Sequence, residues 1–337
     1  IGHGGGLALS ACTGLLIDGT RIENNRAYNV NPCYGGGLYA DASDFIATNC
    51  LIRRNWIDPA GNSYGGGIFV NGGQGLLRDS LLGYNRANYG IGGGLYANSG
   101  IHTLMNSQVV GNDATSQAGG IYVYSGAVTG QYCTIVGNNV EGVRLYGGMC
   151  AIRNSIVWQN DDDIVGAVTL ANSDIQDGDG AGVNGCISNH PLFEYGLYLG
   201  IGSPCGGAAS ESAADAGLAG YTTRAAGPPD TGTLADIGYH APTGMLVTAA
   251  DIYVAKDGDD THAGVAWGSA LRTLTKAFAV ARQGSRIHVG AGIWTTNDTA
   301  FPLAMNQLGV QLFGTNTERT SISAAGAVFT ITKSRVA

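Results

Sequence analysis

The chain has 337 residues, of which 56 are glycine, 44% are apolar and only 12% are charged, with a net charge of −8. Glycine at this level without a G-X-Y period excludes collagen, and the apolar share argues against a disordered chain. Scattered lysine and arginine on an acidic background leave no basic track for nucleic acid, and no apolar run is long enough to span a membrane.

From the start of the chain, one phrase recurs. "HGGGLAL" (residues 3–9) returns as "YGGGLYA" (34–40), "YGGGIFV" (64–70), "IGGGLYA" (91–97) and, shortened, "AGGIYV" (118–123). Its last glycines are read as Gly6, Gly37, Gly67, Gly94, Gly120 and Gly148, roughly 26 to 31 residues apart, a spacing typical of stacked-repeat folds. A second phrase lies between the copies: "TRIENN" (20–25), "CLIRRN" (50–55), "SLLGYN" (80–85), "SQVVGN" (107–112), "CTIVGN" (133–138) and "SIVWQN" (155–160). Its template is small, any, aliphatic, any, any, Asn.

Small and aliphatic positions alternate with period two, so both face one side of a strand. Ile22, Ile52, Leu82, Val109, Ile135 and Val157 form a buried aliphatic column. Thr20, Cys50, Ser80, Ser107, Cys133 and Ser155 form a small column beside it, in which the two cysteines read as small buried residues. Asn25, Asn55, Asn85, Asn112, Asn138 and Asn160 are placed at a turn as a structural ladder. Asparagine tolerates left-handed backbone there, and its amide can bond the amides stacked above and below.

After the glycines, Leu38, Ile68, Leu95 and Ile121 alternate with Tyr39, Phe69, Tyr96 and Tyr122. One set faces inward and the other forms an aromatic ladder on the opposite face. Ring stacking there stiffens the rod, and a solvent-facing ladder would offer platforms for sugar rings. The glycines make the close turn into that strand. No helix-period pattern lies between the phrases, which excludes βαβ units, and propeller blades are longer. The prediction is an all-β parallel β-helix, right-handed by the rule for parallel crossovers, with a short capping helix in the C-terminal third.

Seven cysteines fit no tight metal spacing. Cys186 and Cys205 flank a loop-rich stretch and are the first disulfide candidate. Cys33–Cys50 and Cys133–Cys150 are weaker ones that compete with the buried-residue reading. In "SDIQDGDGAG" (173–182) the alternating acids and glycines resemble a calcium loop, making Asp174, Asp177 and Asp179 candidate Ca²⁺ ligands, with a solvated turn as the alternative. No other cofactor is expected. The run Asp161–Asp163 reads as an exposed loop. No catalytic residue is assigned: the six histidines lack H-x-x-x-H spacing, no carboxylate pair stands out, "GxSxG" is absent, and the coil arginines keep no register with acid pairs.

In the last third, Trp267, Leu271, Leu274, Phe278 and Ala281 recur three and four apart, predicting an amphipathic helix with Ser269 as N-cap and Gly284 at its exit. "RIHVGAGIW", "GVQLFG" and "VFTITKSRVA" follow as strands of new coils.

"GGGLYA…CLIRRNW" and its copies resemble right-handed β-helix repeat proteins of the pectate-lyase-like superfamily. "NSIVWQN" (154–160) is similar to the last coils of bacterial secreted members. "NHPLFEYGLYLGIGSPCGGAA" (189–209) and "ADIGYH" (235–240) resemble their closing tail but depart from it at the acidic positions. "DIYVAKDGDDTHAG…GIW" (251–294) resembles the family's opening module, where Asp257, Asp259 and Asp260 look structural. The resemblance therefore implies coils over 1–188, a closing tail and linker over 189–250, and a starting module with first coils over 251–337, in permuted order.

Chain start and chain end then both read as mid-coil, and the end followed by the start reads as an ordinary continuation. The expected partner is another copy, head to tail, with Gly4, Gly5, Gly6 and Leu7 on one side of the junction and Val328, Phe329, Ile331 and Val336 on the other. The expected role is a structural, extracellular or cell-surface building block of a fibre or layer, or one period of a giant tandem protein. Low charge, many small polar residues and candidate disulfides favour that location. The superfamily also implies two alternatives, a polysaccharide lyase or hydrolase and a carbohydrate-binding adhesin, each with extracellular polysaccharide as partner.

Overall fold

The computed structural model describes residues 2–28, 31–58, 61–194, 197–224, 228–242, 251–281, 285–300, 303–305, 311–314, 320–322 and 329–331. The chain divides into two compact units. One comprises Ile1–Pro191, Pro204–Thr223 and Pro229–His240; the other comprises Leu192–Ser203, Arg224–Pro228 and Ala241–Ala337.

The first unit is a parallel β-solenoid. One coil runs through Cys33–Tyr34, Leu38–Asp41, Phe45–Thr48, Leu51–Arg53 and Trp56–Asp58. Every one of these strands pairs in parallel with its counterpart about thirty residues on: Cys33 with Ser63, Leu38 with Ile68, Phe45 with Gly75, Leu51 with Leu81, Trp56 with Arg86. The strands collect into a four-stranded corner sheet, a 12-stranded long sheet, a seven-stranded sheet and a second four-stranded sheet. In-register stacking puts equivalent template positions directly over one another. Leu38, Ile52, Ile68, Leu82, Val109 and Ile135 thus meet in one buried apolar core.

The three glycines of the corner serve three different needs. Gly35 is left-handed at φ +65°, which favours a residue without Cβ. A Cβ on Gly36 would lie 2.3 Å from the Gly66 carbonyl oxygen of the next coil, and one on Gly37 would lie 2.7 Å from the Asn55 side-chain amide. The clash at Gly36 is with backbone, which cannot swing aside. Gly36→Ala is therefore expected to destabilise the protein by about 2 kcal/mol or more, read from urea unfolding; a loss below a few tenths would contradict the close approach.

The sixth corner glycine is Gly142 and not Gly148. Gly120 N donates to Glu141 O, and Ile121 N to Gly142 O. Gly148 instead precedes Met149–Arg153, which pairs with Ala127–Gln131 in the other half of the long sheet. A glycine pair in a shortened coil mimicked the phrase. Ladder asparagines in successive coils are 30, 30, 27, 26 and 22 residues apart. The solenoid tapers: both four-stranded sheets end early while the seven-stranded sheet continues.

The left-handed turn residue is not the ladder asparagine but the one before it: Asn24, Arg54, Tyr84, Gly111, Gly137 and Gln159 all have positive φ. A further left-handed corner lies at Asn49, Asp79, Asn106, Tyr132, Asn154 and Asn172, each just ahead of a residue of the small column, which Ser173 continues by accepting from Ser155 N. The small column is polar as well as small. Ser80 Oγ donates to Arg78 O at 2.6 Å and accepts from Cys50 N at 3.0 Å; Ser155 Oγ does the same with Arg153 O and Cys133 N. Cys50 and Cys133 are buried in that column.

The disulfide expectations do not hold, since all seven cysteines are thiols. The Cys205 thiol donates to the Asp174 carboxylate at 3.1 Å, and Cys186 is buried.

The tail of this unit straps the coils together. Gly238 N donates to Asn154 O, Tyr239 N to Thr134 Oγ1 and His240 N to Asn106 Oδ1, so three consecutive tail residues reach three coils. The buried His240 ring sits between Gly238 O (3.0 Å) and Asp230 Oδ2 (3.1 Å), against the edge of Tyr132.

In the second unit Asp251–Val254, Arg286–Val289 and Gln311–Gly314 form a parallel sheet. Tyr253, His288 and Phe313 stack on one face, while Ile252, Val254, Ile287 and Val289 enter a core with Leu274, Phe278 and Trp294. The helix spans only Leu274–Val280. Its N-cap is Thr273, whose side chain accepts from Lys276 N, and not Ser269, which belongs to a separate turn, Trp267–Ser269. Asp260 holds this entry by accepting from Arg272 N, Thr273 N and Thr273 Oγ1. Gly284 lies outside the described residues.

Candidate functional site

The tightness of the glycine corner brings together residues from both of its sides. Tyr34 and Tyr64 precede the corner, Tyr39, Phe69, Tyr96 and Tyr122 follow it, and all six border one groove of about 550 Å³. Tyr39, Phe69, Tyr96 and Tyr122 stack in sequence with centroids 5.6, 5.4 and 5.0 Å apart and planes within 18° of parallel. Tyr34 and Tyr64 form a second row at 5.4 Å, and Tyr64 meets Tyr96 edge-on at 70°. Phe69, Tyr96 and Tyr122 are only 5%, 5% and 3% exposed, because each turns its faces to its neighbours. What borders the open groove is therefore ring edges, the half-buried Tyr34, Tyr39 and Tyr64, and the exposed Tyr124.

Beside the rings runs a polar rail. Asn71 Nδ2 donates to Asp41 Oδ1 at 2.7 Å, Asn98 Nδ2 to Asn71 Oδ1 at 2.8 Å, and Ser125 Oγ to Asn98 O at 2.8 Å. Burial, reinforced by neighbouring phenols or carboxylates, holds the Tyr34, Tyr39 and Tyr96 hydroxyls above the usual tyrosine range, so they remain neutral donors and acceptors. Tyr34, Tyr64, Asn71 and Asn98 were not singled out from the sequence. The available signal was the repeated tyrosine immediately before the triple glycine.

Residues 2–157 match the family model described as a right handed beta helix region. That stretch is a right-handed β-helix. No curated protein and no solved structure matches the chain.

Through the β-helix the ladder asparagines form one chain of hydrogen bonds. Asn55 N and Nδ2 both donate to Asn85 Oδ1 at 3.0 Å, and Asn55 Nδ2 also donates to Ile22 O at 2.8 Å; Asn85 and Asn112 repeat the pattern one coil on. The last rung, Asn160, donates to Asp163 Oδ1 at 2.8 Å, so a carboxyl group ends the ladder. Asp163 is buried, contrary to its reading as part of an exposed loop, and its other oxygen accepts from Gln176 N. Burial, aided by the charge of Asp177 and opposed by the Asn160 bond, pushes its carboxyl up to about 7.

Of the three candidate calcium ligands, Asp174 and Asp177 accept hydrogen bonds from the protein. Asp174 is turned inward, accepting from Asn189 N and Cys205 Sγ, while Asp177 accepts from Asp163 N and Asp179 N. Among the described residues no group of three His, Cys, Asp or Glu is placed to hold a metal ion. No described helix is long and apolar enough to cross a membrane.

Of the junction residues, Gly4, Gly5, Gly6 and Leu7 lie in the first coil, where Gly5 N donates to Gly35 O and Leu7 N to Gly37 O. Phe329 and Ile331 belong to the strand Phe329–Ile331, which pairs with Leu303–Met305. Val328 and Val336 lie outside the described residues.

Proposed function

We propose that this chain is a structural, non-enzymatic building block of the extracellular space or cell surface. Its β-helix is extended by further coils, supplied by a second copy head to tail or by adjoining sequence of a tandem protein. The observation that supports this most is the outer edge of the first coil. Among the described residues, Gly2–His3, Leu7–Ser10, Leu15–Asp18, Arg21–Glu23 and Arg26–Tyr28 each pair with a strand on one side only. Leu7 and Leu15 pack on the core from that end and stay half-buried. Parallel strand edges over an apolar cross-section are a template for more strands. Among the described residues of the other unit, Phe329–Ile331 likewise pairs in parallel on one side only. Contacts between unlike ends propagate as a filament where the rotation between copies does not close a ring.

Light scattering and negative-stain microscopy of the purified chain test the copy-to-copy form. Rods that lengthen with concentration are expected, and Leu7→Lys with Leu15→Lys should reduce them to single particles by placing charge in the apolar junction. Single particles of one chain's mass at every concentration would rule that form out.

A further inference from the structure

We propose that the outer face of the long sheet is a docking surface for a second copy of the chain, laid face to face with its stacking axis reversed. This goes beyond end-to-end extension of the coils and does not depend on it. The face follows from alternation. In Leu15–Asp18 and Phe45–Thr48 the side chains of Ile17, Phe45 and Ala47 enter the core, so Leu16 and Ile46 point out. In-register pairing then stacks Leu16, Ile46, Leu76, Thr103, Thr129 and Ala151 into one outward column over six coils. Leu16 and Ile46 are 64% and 45% exposed, and Ile101 and Met149 in the flanking column are 62% and 70% exposed. The tail of this unit touches the border of the face, where Gly217 O accepts from Arg78 Nη2 and Glu211 Oε1 from Gln131 Nε2. An apolar stripe of this length left to water marks an interaction site.

Size and charge both name the chain itself as the occupant. The outward column is bulky in its first three coils and small in its last three. A twofold axis parallel to the strands keeps each column opposite its own copy and reverses the order of the coils. Leu16 then lies over Ala151 of the other copy, Ile46 over Thr129 and Leu76 over Thr103, so large side chains face small ones throughout. The adjoining outward column begins at Asp18 and reaches Arg153 in the sixth coil. Asp18 accepts from the uncharged Thr48 and Asn49 side chains, and among the described residues no carboxylate pairs with the exposed Arg153. Arg78, between them, is already held by Asp79 at 3.2 Å. The same axis sets Asp18 against Arg153 at both ends of the contact, two complementary pairs per dimer. Six coils at about 4.8 Å and four residues at about 3.3 Å give a contact of roughly 24 by 13 Å, the size of a reversible interface rather than a permanent one.

The test is a mixing experiment read by sedimentation velocity of the full chain. Asp18→Arg sets like positive charges against each other at both ends of the face, and Arg153→Asp sets like negative ones. Each variant alone should associate about tenfold more weakly than the parent. An equimolar mixture of the two should recover the parental association, because the facing positions again carry opposite charges. Both variants leave the apolar coil end unchanged, so end-to-end growth is common to all samples and the gain on mixing reports the face alone. Ile46→Glu lies on the exposed stripe and should abolish the pairing with a native circular-dichroism spectrum. No gain on mixing would overturn the proposal, as would parental association in folded Ile46→Glu or in either charge variant by itself.

Discussion

Asn85→Ala is expected to destabilise the first unit by on the order of 4 kcal/mol, the largest effect foreseen for a single side chain of the ladder. Asn85 is fully buried. Its Oδ1 accepts both Asn55 N and Asn55 Nδ2, and its Nδ2 donates to Ile52 O and Asn112 Oδ1. Truncation removes the acceptor from two buried donors at once, and each orphan costs roughly 1–3 kcal/mol where water cannot replace the partner. The cavity left behind adds to this. Asn25 supplies the internal comparison. It donates to Asn55 but is only half-buried in the first coil, so Asn25→Ala should lose far less. Urea unfolding of both variants decides the matter: equal losses, or a loss below about 1 kcal/mol for Asn85→Ala, would show that the ladder is geometry without energetic weight.

Asp163 produces the second large effect, and its sign is opposite to that of most carboxylates. Burial raises its carboxyl from 3.8 to about 7, so the folded chain holds a proton that the unfolded chain has already released. Stability from this group is complete below about pH 4, falls as pH rises toward 7, and is flat above it. At 1.36 kcal/mol per pKa unit the upper limit of the fall is roughly 4 kcal/mol. Asp163→Asn keeps an oxygen for Asn160 Nδ2 or Gln176 N and removes the buried charge. The variant is expected to be more stable than the parent at pH 8, with the difference vanishing near pH 4. Parallel unfolding-versus-pH curves for the two proteins would refute this. The neighbouring Asp162 and Asp179, also shifted up by burial and by Asp177, add a smaller trend of the same sign because they are more exposed.

Much of the coil was readable because a solenoid converts sequence period into spatial column. Equivalent residues stack only if the strands pair in register, and the template of small residue, aliphatic and asparagine leaves a single register that buries Ile52 over Leu82. The groove was only half readable. Tyr39, Phe69, Tyr96 and Tyr122 share a strand phase, which alternation alone reveals, but Tyr34 and Tyr64 join them only because the three glycines turn the chain from one sheet to the next within one corner. No rule of alternation crosses such a corner. The Gly148 misassignment has the same origin: coil length is set by which corner is dropped, and a shortened coil can still carry a glycine pair.

The sequence by itself determined the strand phase, the columns and the stacking direction, because these follow from local alternation repeated at one period. The tertiary structure alone decided the rest. It turned Asp174 and Asp163 inward, kept Cys186 and Cys205 as thiols, laid residues 238–240 across three coils and faced the stacked rings against one another. Each of these depends on which residues distant along the chain come to share a buried, low-dielectric space, and burial is a property of the whole assembly rather than of any stretch of it.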